Sequence, residues 1–534
     1  MKRRIMLVAA VVIAFSNSSG QSKPGFFSPS SHAAPNLVLL CLAAHPDDED
    51  DATLAYYSAL PGMKAYSLFF TRGEGGQNEI GSELYGDLGT LRTRETCEAA
   101  AIVGSEPHFL GFADFGYSKT AKETFAKWGG KESALSRLVY YIRLLQPDVI
   151  VTNHDTVTTK PGRQHGNHQA VGISVYEAFA KAADPAFHPE QLRGGISPWQ
   201  VRKLFSRFVG QDSMAHPDSL VTVNTARQVR NDSTVDDIAI AAMRRHRSQG
   251  LEHITLASMS PQFRAHRYCL VREDHAYPFD KSDLFSGLRP ISRTLHRIDI
   301  EPPPHVPVEH PPDPAKIAAR HAANIFVGLI KTYDDTIEQL LGPFRIPFQL
   351  LDSTAVARAD LSKFTVIILD LRAYQYRPDI ATGNQRLLEY VRLGGNIVCF
   401  YHKQGDWNQK QPAPYPITIT GERVTEEDTA VDVLAHDHPF FNEPNPIRSS
   451  DWKGWIQERS IYLPSEDTTK TSARYQRLLA MSDEGEHQPS TSLLWARYGQ
   501  GTYAYCALAL YRQLRNLDEG AVKLFFNIIS QARQ

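Results

Sequence analysis

From Asn36 onward, short apolar runs alternate with amphipathic stretches. Residues 37–42 are apolar throughout and read as a buried strand, residues 50–60 as a helix, 66–70 as a second strand and 90–103 as another helix. Residues 149–151, after Gln146-Pro147-Asp148, read as a further strand. Strand and helix in turn predict an α/β fold, a Rossmann-like, mostly parallel sheet with helices on both faces. In such sheets ligands sit beyond the carboxyl ends of the strands. The segments that follow Leu42, Phe70 and Val151 are therefore where chemistry is sought.

The pattern breaks near residue 300. The run from Glu301 to Pro314 is too proline-dense for a helix or a central strand and reads as an extended, semi-rigid spacer. Alternation then restarts: strands at 325–330, 348–351 and 365–369, helices at 334–341 and 384–393, a Gly394-Gly395 stop and a strand at 397–401. Residues 493–495 and 502–508 and a helix near 519–531 complete a second α/β domain, flavodoxin-like or class I amidotransferase-like in outline. The expected division is 1–20 signal segment, 36–295 first domain, 296–316 linker and 317–534 second domain.

The first twenty residues are the one strongly biased segment. Lys2, Arg3 and Arg4 precede an apolar run at 5–15 and a small polar stretch at 16–20. That is the layout of a secretory signal, and the run is much shorter than the ~20 residues of a membrane span. The protein is expected to be exported, periplasmic or extracellular, with no integral membrane segment after cleavage. Its 57 basic and 59 acidic residues give a formal net charge of -2, which argues against nucleic acid as a partner. A small-molecule or glycan substrate is the expectation, and oligomeric state is left open. The five cysteines are scattered, odd in number and mostly within apolar runs. They read as buried small hydrophobes rather than a disulfide framework.

Straight after the first strand stands Ala44-His45-Pro46-Asp47-Asp48-Glu49-Asp50. One imidazole and four carboxylates at a strand end can hold a metal ion. The acids would also suit a helix N-terminus, but that does not account for the His-Pro before them. Beyond the strand at 149–151, His165-Gly166-Asn167-His168 opens an apolar helix, and two histidines three apart can share one face. Two imidazoles and a carboxylate with an open position make a catalytic zinc arrangement.

At these residues the sequence resembles the PIG-L/LmbE family of zinc-dependent N-acetylglucosaminyl deacetylases. The Ala-His-Pro-Asp-Asp-Glu motif is whole, Arg92-Thr93-Arg94-Glu95 matches the family's Arg-x-x-Glu, and Phe109-Leu110-Gly111 leads to Asp114 and Gly116 as in its Asp-x-Gly loop. One departure stands out: the family's Pro-Asp between the two histidines is Gly166-Asn167 here. The resemblance implies His45, Asp48 and His168 as ligands of Zn2+, or of another divalent metal such as Fe2+. It implies Asp47 as general base, His165 as electrophilic partner, and Arg92 and Asp114 as substrate contacts. Glu49 and Asp50 then support the helix start.

The implied activity is removal of an N-acetyl group from an amino sugar or its conjugate by metal-activated water. Two alternatives remain: an amidase acting on a larger glycan or thiol conjugate, and a non-catalytic glycan-binding protein. The loop at 71–78 reads either as a pocket rim, with Arg72, Gln77 or Asn78 meeting hydroxyls, or as structural. The segment at 242–249 reads as packing. The second domain resembles the glutamine-amidotransferase-like domains that accompany some of these deacetylases, but Cys399 lacks the glycines of a nucleophile elbow. It reads as a buried structural cysteine in a non-catalytic module.

Overall fold

The computed structural model describes residues 37–531 apart from 158–162, 208–216, 231, 260–263, 265, 278, 294–297 and 299–312. The expected signal segment and most of the proline-dense spacer lie outside the described residues.

Seven strands form the first sheet: β1 (Leu37–Ala43), β2 (Met63–Phe69), β3 (Glu106–Phe109), β4 (Val149–Thr152), β5 (Lys203–Ser206), β6 (Leu220–Thr222) and β7 (Arg267–Glu273). Their order is β3-β2-β1-β4-β5-β7-β6. The five from β3 to β5 run parallel, while β7 is antiparallel to β5 and β6. Successive side chains of a strand point to opposite faces. Val38, Leu40 and Leu42 accordingly pack with α3 (Ala121–Lys127), α4 (Lys131–Leu145) and α5 (Gly166–Lys181). Leu39 and Cys41 pack with α1 (Asp51–Ser58), α2 (Tyr85–Val103) and α6 (Val235–Met243). A strand covered on both faces is apolar at every position, which is the unbroken pattern of residues 37–42. Each leucine so buried contributes about 1.5–3 kcal/mol.

The strand order reverses at β1, which has β2 on one side and β4 on the other. Leu42 pairs with Thr152, so the chains leaving these two strands diverge side by side and open a crevice at the sheet's carboxyl edge.

The second sheet holds β8 (Val327–Ile330), β9 (Phe348–Leu350), β10 (Val366–Leu369), β11 (Asn396–Phe400), β12 (Gln476–Arg477), β13 (Leu493–Tyr498) and β14 (Gly501–Cys506), in the order β9-β8-β10-β11-β14-β13-β12. Its first five members are parallel and the last two are joined antiparallel. Cys399 is buried on β11 among Ile367, Tyr503 and Tyr505. All five cysteines are free, and Trp452 and Trp455 are core residues.

Two helices start earlier than their periodicity suggests. Gly86 and Gly89 mask the opening turns of α2, since glycine lowers helix propensity. The helix expected from residue 384 begins at Pro378, a residue tolerated in a first turn because that N–H has no intrahelical partner.

The two sheets are closed against each other around the first one's carboxyl edge. Leu84 belongs to an apolar core of the second sheet, the Tyr85 hydroxyl donates to the Arg512 carbonyl at 3.2 Å, and Arg515 donates to the Ser82 carbonyl at 2.7 Å. Glu79 receives Arg372 at 2.6 Å, Tyr376 at 2.7 Å and Lys403 at 2.9 Å. Lys119 reaches Asp483 at 2.7 Å and the Arg423 carbonyl at 2.9 Å.

Candidate functional site

The motif after β1 is fixed residue by residue. Asp50 caps α1, accepting the Thr53 N–H at 3.1 Å and the Tyr268 hydroxyl at 2.6 Å. Glu49 accepts the Asp47 N–H at 2.7 Å and faces His246 Nε2 at 3.0 Å. Gln249 donates to the Pro46 carbonyl and Asn153 to the Asp48 carbonyl, both at 2.6 Å. These ties hold Asp47 at φ 87°, a left-handed conformation that costs a non-glycine residue about 1–3 kcal/mol and that surrounding structure must impose. The segment at 242–249, expected only to pack, braces the motif through His246 and Gln249.

Side chains from two connections, the one after β1 and the one from β4 into α5, then converge. Asp48 Oδ2 stands 3.0 Å from His45 Nδ1 and 3.1 Å from His168 Nε2. His165, the residue before α5, lies against His168 with ring centroids 3.7 Å apart and the rings tilted by 41°, and both lie 5.4 Å from the His45 ring. Among the described residues two donor sets lie within 4.8 Å of one another: His45, His165 and His168, and Asp48, His154 and His168. His165 Nδ1 is buried without a hydrogen-bond partner. Mixed imidazole and carboxylate donors with an unsatisfied nitrogen beside them fit a divalent ion of the zinc class.

His154 escaped the reading of the sequence. It follows β4 directly, and its Nε2 accepts the Ala44 N–H at 3.1 Å, pinning the start of the motif to the neighbouring strand end. The available signal was its position, just past a strand of the same sheet.

Burial, then the adjacent Asp48, push the Asp47 carboxyl up to about 8. Asp48 is also buried, but His168 and His45 hold it well below the usual carboxylate range. Burial would lower His45, yet Asp114 and Asp48 raise it to about 9. Burial, followed by the charges of His168 and His45, depresses His165 far below an ordinary imidazole, so it is neutral at pH 7. Two neighbouring carboxyls and two neighbouring imidazoles driven in opposite directions are the pattern of an acid–base site.

The PIG-L family profile, described as GlcNAc-PI de-N-acetylase, matches residues 40–179. A 1D-myo-inositol 2-acetamido-2-deoxy-alpha-D-glucopyranoside deacetylase 2 of Saccharopolyspora erythraea is 31% identical over 286 residues, 46% of this chain and 98% of that protein. The chain belongs to the PIG-L family. A 1D-myo-inositol 2-acetamido-2-deoxy-alpha-D-glucopyranoside deacetylase of Thermobifida fusca is 32% identical over 206 residues, 35% of this chain and 65% of that one. A mycothiol S-conjugate amidase of Streptomyces coelicolor is 30% identical over 183 residues, 32% and 60% of the two chains. The match to these last two spans just under two thirds of their length.

This PIG-L chain has a physical reason for Gly166. A Cβ there would stand 2.0 Å from Ser118 Oγ and 2.4 Å from the Thr120 carbonyl, so neither proline nor alanine fits. Asn167 Oδ1 accepts the Thr124 hydroxyl at 2.9 Å while Nδ2 lies 3.1 Å from His45 Nε2. The amide thus contacts the ring nitrogen of His45 that faces away from Asp48.

The remaining candidates divide. Asp114 faces the cavity, with Oδ2 3.9 Å from His45 Nε2. Arg92 also lines it, but its guanidinium is engaged by the Gly73 and Gln77 carbonyls and Ser248 Oγ, so it shapes the glycine-rich rim. Gly75, Gly76 and Gln77 of that rim face the cavity. Arg72 instead lies over the Phe109 ring and donates to Thr93, and Asn78 donates to Glu83. The cavity measures about 330 Å³, and Lys403, Arg423, Glu458 and Arg512 of the second domain complete its wall. A larger hollow of about 880 Å³ beside the helix at Pro378–Arg392 contains no histidine or cysteine.

Proposed function

We propose that this protein is a metal-dependent hydrolase that removes an N-acetyl group from an amino sugar or its conjugate. The observation that carries the reading is Asp48 Oδ2 set between His45 and His168, with Asp47 and His165 facing the same cavity. His45, Asp48 and His168 would hold the ion, and two imidazoles with one carboxylate suit zinc or iron(II). When bound, such an ion polarises a carbonyl and acidifies water. In its ionised form Asp47 accepts the proton of the attacking water and delivers it to the departing amine. Neutral His165 donates a hydrogen bond to the oxygen that gains charge. Asp114, at the same wall, accepts from sugar hydroxyls. The cavity lies at the small end of the ~300–1,000 Å³ range of ligand sites, which suits one sugar unit. The proposal includes export, on the pattern of residues 1–20, which would place the substrate outside the cytoplasm.

The test is to offer N-acetylated amino sugars to the purified protein and measure acetate and primary amine, with and without chelator. Equimolar release that chelator abolishes and added zinc restores is expected. Amine without acetate from thiol or glycan conjugates would favour the amidase reading, which the similarity to a mycothiol S-conjugate amidase supports. A protein carrying one equivalent of metal that releases neither product from any such amide sinks both.

A further inference from the structure

The cavity wall built by the second domain carries an unmatched charge. Arg512 is 2% exposed. Its Nε donates to the Tyr511 hydroxyl at 2.7 Å and its Nη2 lies 3.5 Å from Glu458 Oε2, whereas Nη1 is buried with no hydrogen-bond partner. Arg423 donates to the other oxygen of Glu458 and stacks over Tyr117 at 4.7 Å and Tyr462 at 4.5 Å. Two guanidinium groups therefore share one carboxylate and leave one positive charge in excess. Elsewhere on this wall the balance is even, since Arg372 and Lys403 meet Glu79 and Asp406.

The free nitrogen sits close to the proposed chemistry. Arg512, Arg423 and Glu458 line the same cavity as His45, Asp48 and His168. A Cβ placed on Gly116 would stand 3.3 Å from Arg512 Nη1. The Gly116 carbonyl is in turn 3.5 Å from Asn167 Nδ2, the group that contacts His45. A buried guanidinium nitrogen without an acceptor is costly to maintain unless a ligand satisfies it. Guanidinium is also the side chain best suited to planar oxyanions.

We infer that Arg512 is a specificity-determining residue that receives a singly charged acidic group of the substrate, a carboxylate or a phosphodiester attached to the N-acetylated sugar. Arg423 and Glu458 hold it in that position. The inference rests on the deacetylase reading and narrows its substrate class: one excess charge calls for one anionic charge on the ligand.

The test uses the zinc-loaded full chain and matched pairs: N-acetylmuramic acid against its methyl ester, and N-acetylglucosamine 1-(methyl phosphate) against the methyl glycoside. The expected result is a preference for one acidic member of about tenfold or more in kcat/KM, the scale of one charge-assisted hydrogen bond. Whichever pair shows it identifies the acid. Arg512→Gln should bring that ratio close to one and Arg512→Lys should restore part of it. Equal hydrolysis of acidic and neutral members by the wild type overturns the inference and leaves the deacetylase reading standing. If none is hydrolysed, calorimetric binding decides: an acid preference that Arg512→Gln removes upholds the inference while the reading falls, and no preference overturns both. The wild-type comparison suffices by itself if the glutamine variant does not fold.

Discussion

The two sheets of this protein reverse their strand order in the same way, at β1 and at β8, and the two reversal points hold very different groups. Beside β1 a carboxylate stands between two imidazoles, with a third imidazole and a second carboxyl at hand. Beside β8 the loops carry Thr332, Asp334 and Asp370, and Asp370 Oδ2 accepts the Thr332 N–H at 3.2 Å and its hydroxyl at 3.1 Å. The one imidazole after β11 is turned inward: His402 Nδ1 donates to the Phe400 carbonyl at 2.8 Å and Nε2 accepts the Tyr374 N–H at 3.1 Å. Burial pushes the Cys399 thiol up, away from reactivity. Both edges even contain a carboxyl that burial and a neighbouring acid push up to about 8, Asp47 and Asp370. A crevice and a perturbed carboxyl do not by themselves identify a site. The difference is what the carboxyl faces: donors and a cavity in one case, a threonine in the other.

The sharpest way to break this contrast is to remove the central oxygen. Asp48→Ala should lower bound metal below about a tenth of an equivalent and cut kcat/KM by roughly a thousandfold or more, because ligand set and water activation are lost together. Elemental analysis alongside amine release checks it; a variant that keeps full metal and turnover would show that His45, His165 and His168 suffice. Asp47→Asn comes next. It should retain metal while kcat falls roughly 10²–10⁴-fold, the usual contribution of a general base. Normal turnover in that variant would remove Asp47 from the mechanism and make its raised pKa as incidental as that of Asp370.

How far the sequence was legible follows from which signals are local. Three strands of the first sheet, β1, β2 and β4, and its motif could be read from apolar runs and because His45 to Asp50 lies in one stretch at a strand end. By contrast, β3, β5, β6 and β7 are too short or too mixed in polarity to stand out. His154 was missed since a single histidine in a polar loop carries no pattern until the register of Leu42 with Thr152 sets it beside Ala44. The resemblance implies Arg92 as a substrate contact, and a sequence does not show that its guanidinium is held by backbone carbonyls of the rim while it lines the cavity. The contribution of Arg423, Glu458 and Arg512 was invisible for a related reason. They sit more than 250 residues from the motif, and only the packing of the second sheet's region against the first sheet's carboxyl edge brings them to the cavity.

The smallest expected effect tests the quiet edge. Burial, then Asp334, raise the Asp370 carboxyl from 3.8 to about 8. Between those values the folded chain holds a proton that the unfolded chain has released, so unfolding loses a proton. Stability is then fully present below about pH 4 and declines as pH rises toward 8. Asp370→Asn keeps an oxygen to accept from Thr332 but removes the titration. Scanning calorimetry at pH 5 and pH 8 should show a smaller drop in Tm for the variant than for the wild type, by a few degrees, with kcat unchanged. Equal drops would mean that Asp370 ionises normally in the folded protein. The matching substitution at the first edge, Asp47→Asn, should do the reverse and cost turnover, because there the carboxyl opens onto a cavity where a proton has somewhere to go.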